Sequence, residues 1–384
     1  MMFNFLFRNL LHVHGRYANL ALLNPNKFQD FSCPIFVKYI STNSNEHSFT
    51  VSYLINSCGL SSESALKASK IAQFDTPEKP DLVVNIFKSS GFSETQISDL
   101  IRKSPKLLLC NPEKTLLPKL EFFLSKGVSS RDLAKLLCRR PNVIQRSLKN
   151  QIIPSFHYLS NLLQSSEKAI TVIKNSPCIL ETYIGPKIDI LRYYGVPEAK
   201  ISTFLCHWPH SFLAKSDQFK EIVKEVKEMG ISPLKIQFVL AIVAKRIMSK
   251  SHWEKKLDVY KKWGWSDKEV LAAFSKYPWC MIASVDKIMA AMDFFVNKMG
   301  WDSSIISEHP LLITMSLEKR LLPRAAVIQF LSSKGLINKK INSLTYMFEC
   351  PENTFLQNSV NSYDEAPQLL KLYQEKLNSS EKAK

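Results

Sequence analysis

Eight glycines, Gly59, Gly91, Gly127, Gly195, Gly230, Gly264, Gly300 and Gly335, stand in one register, 32 to 36 residues apart except for one interval of 68 that spans two periods. A chain that repeats at such a period folds as stacked copies of one small unit, because a single copy cannot bury its own apolar face. A second series keeps phase with the first. Pro105, Pro141, Pro209 and Pro278 each follow a register glycine by 14 residues, and Pro177 follows Leu163 by 14, which puts Leu163 where the skipped glycine would stand. Looser copies occur at Pro310 and Pro351, and Ile247 replaces the proline in the repeat that begins at Gly230. About nine units result, from roughly Val51 to Leu377.

The unit from Glu113 to Leu148 shows the grammar. Leu116, Leu117, Leu120, Phe123 and Leu124 recur at three- and four-residue spacing, an apolar stripe on a first helix. Gly127 supplies the left-handed residue that ends it. Ser129 with Asp132, Ser93 with Gln96, and Ser266 with Glu269 are spaced as capping boxes that restart a helix, and Pro233 after Ser232 fits a first helical position. Leu133, Leu136 and Leu137 lie on the second helix, which Pro141 blocks by removing a donor and clashing with the preceding turn. A short apolar turn at Val143 and Ile144 follows. Each unit therefore reads helix, glycine, helix, proline, short turn.

No stretch alternates apolar and polar residues long enough for a sheet, and the longest apolar run, Phe238 to Ala244, is far too short to cross a bilayer. The expected fold class is an all-α helical-repeat solenoid without membrane insertion.

The glycine-to-proline phase, in contexts such as KSPKLLL at 103–109, NSPCIL at 175–180 and EHPLLIT at 308–314, resembles the mitochondrial transcription termination factor (mTERF) family. The opening FTVSYLINSCGLSSESALKASK at 49–70 is similar to that family's plant organellar branch, and the likeness runs from about residue 49 to 375. It implies a curved superhelix of helix, helix and 3₁₀ units whose basic concave groove holds nucleic acid in mitochondria or plastids. No catalytic constellation stands in the sequence, so neither a cofactor nor enzymatic activity is expected. EMGISP at 228–233 resembles the end of a pentatricopeptide repeat, but no other unit repeats it.

Composition agrees with a polyanionic partner: 51 Lys and Arg against 34 Asp and Glu give a net charge of +17. Residues 1–40 lack the periodic glycine and proline and carry Arg8, Arg16, Lys27 and Lys38 against Asp30 alone, reading as an organellar transit peptide, mitochondrial in preference to plastid. No compact uninterrupted apolar run follows a charged start, which argues against a secretory signal. A linker at 41–50, repeats at 51–377 and a polar tail at 378–384 complete the expected organisation. The eight cysteines include no CxxC pair and read as reduced thiols in helical packing. Cys206, His207 and His210 form a tight group, but it spans the break at Pro209 and lacks a partner cluster, so no metal is expected.

Charge is uneven along the chain. Residues 101–150 hold 12 basic and 3 acidic residues, whereas 10 and 9 nearly cancel from residue 300 onward. Aligning the units produces two basic ladders. One ends the second helices: Arg102 and Lys103, Arg139 and Arg140, Lys174, His207, Lys245 and Arg246, and Lys276, turning acidic at Glu308 and Glu349. The other lies near the starts of first helices: Lys119, Lys187, Lys256, Lys287 and Arg324. Stacked repeats would set such residues side by side as stripes that track a phosphate backbone. Basic residues at a helix C-terminus also complement the helix dipole, a local explanation that is weaker for the second ladder, whose alignment between units is looser.

All six tryptophans fall between 208 and 301, and Trp208 and Trp279 flank break prolines, placing them as candidates for base stacking or for packing between repeats. No Walker loop, HExxH or recurring carboxylate pair is present. The expected function is that of a monomeric regulator of organellar transcription on double-stranded DNA, including its termination. RNA binding in intron splicing or ribosome assembly is the alternative, and a scaffold for an acidic protein partner is a third.

Overall fold

The computed structural model describes residues 48–337 and 340–379. The expected leader at 1–40, most of the linker at 41–50 and the end of the tail lie outside the described residues.

The glycine register appears directly in the backbone, since all eight members adopt positive φ, from +67° at Gly59 to +88° at Gly264. Gly127 shows why. The helix Leu117–Ser125 ends in a Schellman turn in which the Val128 N–H donates to the Phe123 carbonyl at 3.1 Å and the Gly127 N–H to the Leu124 carbonyl at 2.9 Å. The turn needs a left-handed residue there, and the apolar residue that follows is buried in the unit. The Ser129 hydroxyl then accepts from the Asp132 N–H at 3.1 Å and starts the second helix, Ser130–Arg139.

Second helices Glu94–Lys103, Ser166–Asn175, Glu198–His207 and Asp267–Lys276 are followed by 3₁₀ turns Pro105–Leu109, Pro177–Glu181, Pro209–Leu213 and Pro278–Met281. The residue before the proline leaves the helical region, as at Ser104 (φ −144°, ψ 70°) and Ser176 (φ −144°, ψ 81°), because the proline ring disfavours helical geometry in its predecessor. Apolar residues of the turn close the unit: Leu108, Leu180 and Phe212 are wholly buried. The described residues contain helices and turns and no strand. The fold is an all-α helical-repeat solenoid.

Four local expectations need correction. The skipped glycine corresponds to Gln164, with φ +51°, and Leu163 is a buried core residue. The Ser165 N–H closes the Schellman turn on the Ser160 carbonyl at 3.1 Å while its hydroxyl caps the next helix at Lys168, so one residue does the work that Val128 and Ser129 share elsewhere. That deletion shifts the beat by one. Ser93 and Ser266 form reciprocal capping boxes with Gln96 and Glu269, but the Asp132 carboxylate is taken by Lys174 of the following unit and by the Ser129 hydroxyl, so the return bond to the Ser129 backbone N–H is not made. Pro233 occupies a turn and the helix begins at Ile236. At Ile247 no 3₁₀ turn forms: Ile236–Ile247 ends, Ser249 caps at once, and Lys250–Lys262 follows.

Non-glycine residues are strained in the left-handed region, so Gln164→Gly is expected to raise unfolding free energy by about 0.5–1 kcal/mol. Urea unfolding of the two proteins measures it, and an unchanged or lowered midpoint contradicts the assignment of strain to this residue.

Two compact units divide the described chain. The larger comprises residues 48–288 with 302–310, and its core is built on Phe87, Phe123, Phe156, Phe204, Phe219, Phe238 and Phe274, all fully buried. The smaller comprises residues 289–301 with 311–379. There Phe295 and Trp301 stack at 5.0 Å between centroids, Phe348 packs edge-on against both, and Leu322–Ser333 lies along Ala366–Ser379.

Candidate nucleic-acid interface

Within the larger unit, the second helices Glu94–Lys103, Ser130–Arg139 and Ser166–Asn175 stand side by side and enclose an open cleft of about 440 Å³. Their last turns project Lys103, Lys135, Arg139 and Lys174 into it, against two carboxylates, Asp99 and Asp132. Burial works to raise the Asp99 carboxyl, but bonds from Lys103 and Arg102 outweigh it and hold the group below its ordinary value; Asp132 is lowered first by Lys174. Both acids are therefore ionised and paired, leaving a surplus of positive charge.

The basic residues of this ladder do a second job that links repeats. Lys103 Nζ donates to the Cys138 carbonyl at 2.6 Å, and the Arg139 guanidinium donates to the Lys174 and Asn175 carbonyls, each at 3.2 Å. Lys276 Nζ reaches the Glu308 carbonyl at 3.3 Å. Each donor comes from the end of one second helix and serves the orphan carbonyls ending a later one, so the dipole being complemented belongs to the neighbour. Arg102, Lys103, Arg139 and Lys276 keep exposed surface.

Arg140 Nε lies 2.8 Å from Glu181, whose other oxygen takes Arg146 at 3.0 Å. The Glu181 side chain is only 7% exposed; burial raises its carboxyl, the two arginines outweigh that, and it stays ionised below the ordinary value. Lys245 is committed elsewhere, 2.6 Å from Glu225 and 4.2 Å above the Trp253 ring, with 14% of its side chain exposed. Arg246 is half-buried, loss of hydration lowers its guanidinium, and its Nε has no hydrogen bond among the described residues.

The ladder at first-helix starts is not an exposed stripe. Lys119, Lys187, Lys256 and Arg324 are buried, at 8%, 4%, 9% and 0% exposure. Lys119 Nζ donates to the Ile144 carbonyl at 2.6 Å, Lys256 to Met281, and Arg324 to Met347, Phe348 and Cys350. The periodicity is real, but its cause is internal: a long cationic side chain from the first helix satisfies carbonyls where the second helix or its break ends. Desolvation lowers the ammonium groups of Lys119, Lys187 and Lys256. Lys287 is half-buried near the start of Val285–Asp293.

The model of the mTERF family matches this sequence over residues 84–245 and 181–356, more than half of the chain. The chain belongs to the mTERF family. It is 22% identical over 259 residues to a mitochondrial transcription termination factor of Arabidopsis thaliana, MTERF15, a match that covers 67% of this chain and 50% of the relative. The chain thus spans about half the length of that curated relative.

Within the mTERF units the two tryptophans proposed for base stacking are internal. Trp208 and Trp279 are 6% and 7% exposed and pack on each other with centroids 6.3 Å apart. The missing 3₁₀ turn at Ile247 accounts for the meeting, because no intervening break separates the two prolines' neighbours. The most exposed aromatics among the described residues are instead Tyr183 and Tyr193, at 76% and 83%. Sequence reasoning also passed over Lys135, although it stands one helical turn before Arg139 and so shares its face. The His207 Nδ1 pairs with the Thr203 carbonyl at 2.9 Å, and no group of His, Cys, Asp and Glu suited to a metal ion occurs among the described residues.

Proposed function

We propose that this chain is a monomeric, non-enzymatic nucleic-acid-binding regulator of gene expression in mitochondria, with plastids the alternative compartment. It binds double-stranded DNA through the cleft of Lys103, Lys135, Arg139 and Lys174, extended by Arg102, Arg140, Arg246 and Lys276, and regulates or terminates transcription. The observation that carries this reading is the cleft itself, where cations from three consecutive second helices face outward at one repeat spacing. Membership of the mTERF family and the name of the Arabidopsis relative support it. Bound across such a surface, a duplex would be held by counterion release, with shape selection coming from the spacing of the repeats.

RNA is the second reading, and the exposed rings of Tyr183 and Tyr193 favour it, since unpaired bases stack on open aromatic faces.

Duplex DNA and structured RNA from the organelle are to be titrated with the protein at increasing salt. With three to four phosphates engaged, the logarithm of the association constant is expected to fall with the logarithm of salt at a slope of about −3. If neither nucleic acid binds at low salt, the reading is wrong. Crosslinking in intact organelles separates the two targets: recovery of mostly intron RNA sinks the transcription reading.

A further inference from the structure

Among the described glycines, Gly185 stands outside the register, and its φ is not positive. A Cβ there would come within 2.7 Å of the Tyr183 ring. The missing side chain therefore makes room for that ring, which lies against the start of Gly185–Tyr193 and is 76% exposed. Tyr183 lines a cavity of about 440 Å³ between the first helix Ile153–Leu163 and the turn Pro177–Glu181 of the same repeat. The Tyr158 ring stands beside it, 6.4 Å between centroids and tilted by 59°, so the pair is not a closed sandwich and an open ring face remains. Leu159, Leu180 and Ile184 give the cavity a buried apolar lining. Two amides add polar groups: the Asn150 side chain makes no hydrogen bond among the described residues, and Gln151 spends only Nε2, on the Leu180 carbonyl at 3.1 Å.

The charged member of the lining is Glu181, and both its oxygens are taken, by Arg140 at 2.8 Å and Arg146 at 3.0 Å. Two guanidinium groups on one carboxylate leave a positive charge over, and their side chains stay 42% and 45% exposed. Farther along Gly185–Tyr193, Asp189 and Glu198 share Arg192, one carboxylate in excess, so an anion is drawn to the Arg140 side. Arg140 directly follows Arg139 of the cleft, and the helix end at Lys174 and Asn175 leads into the turn that carries Glu181.

An apolar hollow with an open aromatic face and a few unspent amide groups suits a flat, neutral ring that hydrogen-bonds at its edge. The surplus charge beside it suits a phosphate attached to that ring. We propose that this cavity takes one unpaired nucleobase of a single-stranded nucleic acid, stacked on Tyr183, with the adjoining phosphate on Arg140 and Arg146. This rests on the nucleic-acid reading and deepens it, because bases stacked and paired in an intact duplex cannot enter.

The test uses the full chain, a short single-stranded RNA and a duplex DNA of equal length, at constant ionic strength. Tyr183→Ala is expected to weaken single-strand affinity roughly five- to a hundredfold while duplex affinity is unchanged. Tyr183→Phe keeps the stacking ring and recovers most of the loss. Gly185→Ala weakens single-strand binding as well, since its methyl group displaces the ring and touches no charge. Tyr346→Ala, at an exposed tyrosine of the smaller unit, binds both as the parent does. Thermal melts confirm that each variant is folded. In parallel, adenosine monophosphate is titrated while the tyrosine ring resonances are followed by NMR, with shifts expected at Tyr183 and none at Tyr346. Duplex binding with no single-strand binding, or single-strand binding that survives both Tyr183→Ala and Gly185→Ala, overturns the base pocket and leaves the nucleic-acid reading standing. If the mononucleotide shifts Tyr183 while neither nucleic acid binds at low salt, the cavity takes a free nucleotide, and both the strand-borne base and that reading fall.

Discussion

Charge reversal at Arg139 is expected to weaken nucleic-acid binding roughly ten- to a hundredfold at moderate salt and to reduce the salt slope by about 1. Arg139 is the right residue because it occupies the middle helix of the cleft and belongs to the ladder that stays exposed. Replacing it with glutamate removes one phosphate contact and sets a like charge against the backbone. In the free protein the change also releases the Lys174 and Asn175 carbonyls, but these lie at a solvated helix end where water can replace the lost donor. A small loss of stability therefore accompanies a large loss of affinity. Reversal at Arg140 adds to the effect through a different route, since a glutamate there faces Glu181, already withdrawn from solvent, and leaves only Arg146 to balance two carboxylates. The double variant should melt earlier, so the single Arg139 change is the cleaner measure. Fluorescence anisotropy at several salt concentrations, with a melt alongside, checks both numbers. If Arg139→Glu binds as tightly as the parent with an unchanged salt slope, the cleft is not where phosphate sits.

How much of this was legible beforehand follows from the range over which each interaction acts. The Schellman turn at Gly127 and the proline break at Pro141 are decided within a few residues, so spacing alone revealed them. The Leu163 assignment failed by one position because Ser165 merges two roles, and a glycine count cannot register a shortened loop. The basic ladders posed a different problem. Periodicity reports that a residue is used in every repeat, not which way it points. Lys119 and Arg139 both belong to series that recur from unit to unit, yet one reaches inward to the Ile144 carbonyl and the other stays exposed at the cleft. The sign of the dipole argument held the available clue: a cation at a helix start needs an acceptor from elsewhere, and the break carbonyls about 25 residues on provide it. Trp208 and Trp279 were beyond reach for a similar reason, as their contact depends on a turn that is missing at Ile247 between them.

Arg324→Met is expected to behave in the opposite way to Arg139→Glu, lowering unfolding stability by about 3–5 kcal/mol while leaving the affinity of the folded fraction for nucleic acid near that of the parent. The guanidinium is fully buried in the smaller unit, where Nη1 serves the carbonyls of Met347, Phe348 and Cys350, and Nη2 lies 3.1 Å from Glu352. Its plane also sits 4.5 Å from the centre of the Phe355 ring. Arg320 joins it on the carbonyls of Phe348, Glu349 and Cys350, close enough that burial and then repulsion from Arg324 push the Arg320 guanidinium down to about 10. Two like charges remain together because the end of Ile341–Glu349 offers more carbonyls than its own chain can satisfy. Methionine fills much of the volume but donates nothing, so the Met347 carbonyl loses its guanidinium donor, the Phe348 and Cys350 carbonyls are left to Arg320, and the Glu352 carboxylate loses its cationic partner and keeps the Tyr373 hydroxyl. Lysine restores one charge without the fork and should recover only part of the loss. Urea unfolding with a hydrogen-exchange readout over Leu322–Ser333 localises the effect to the smaller unit. Normal stability with impaired binding would return Arg324 to the nucleic-acid surface and would mean that the inward ladder contacts ligand after all.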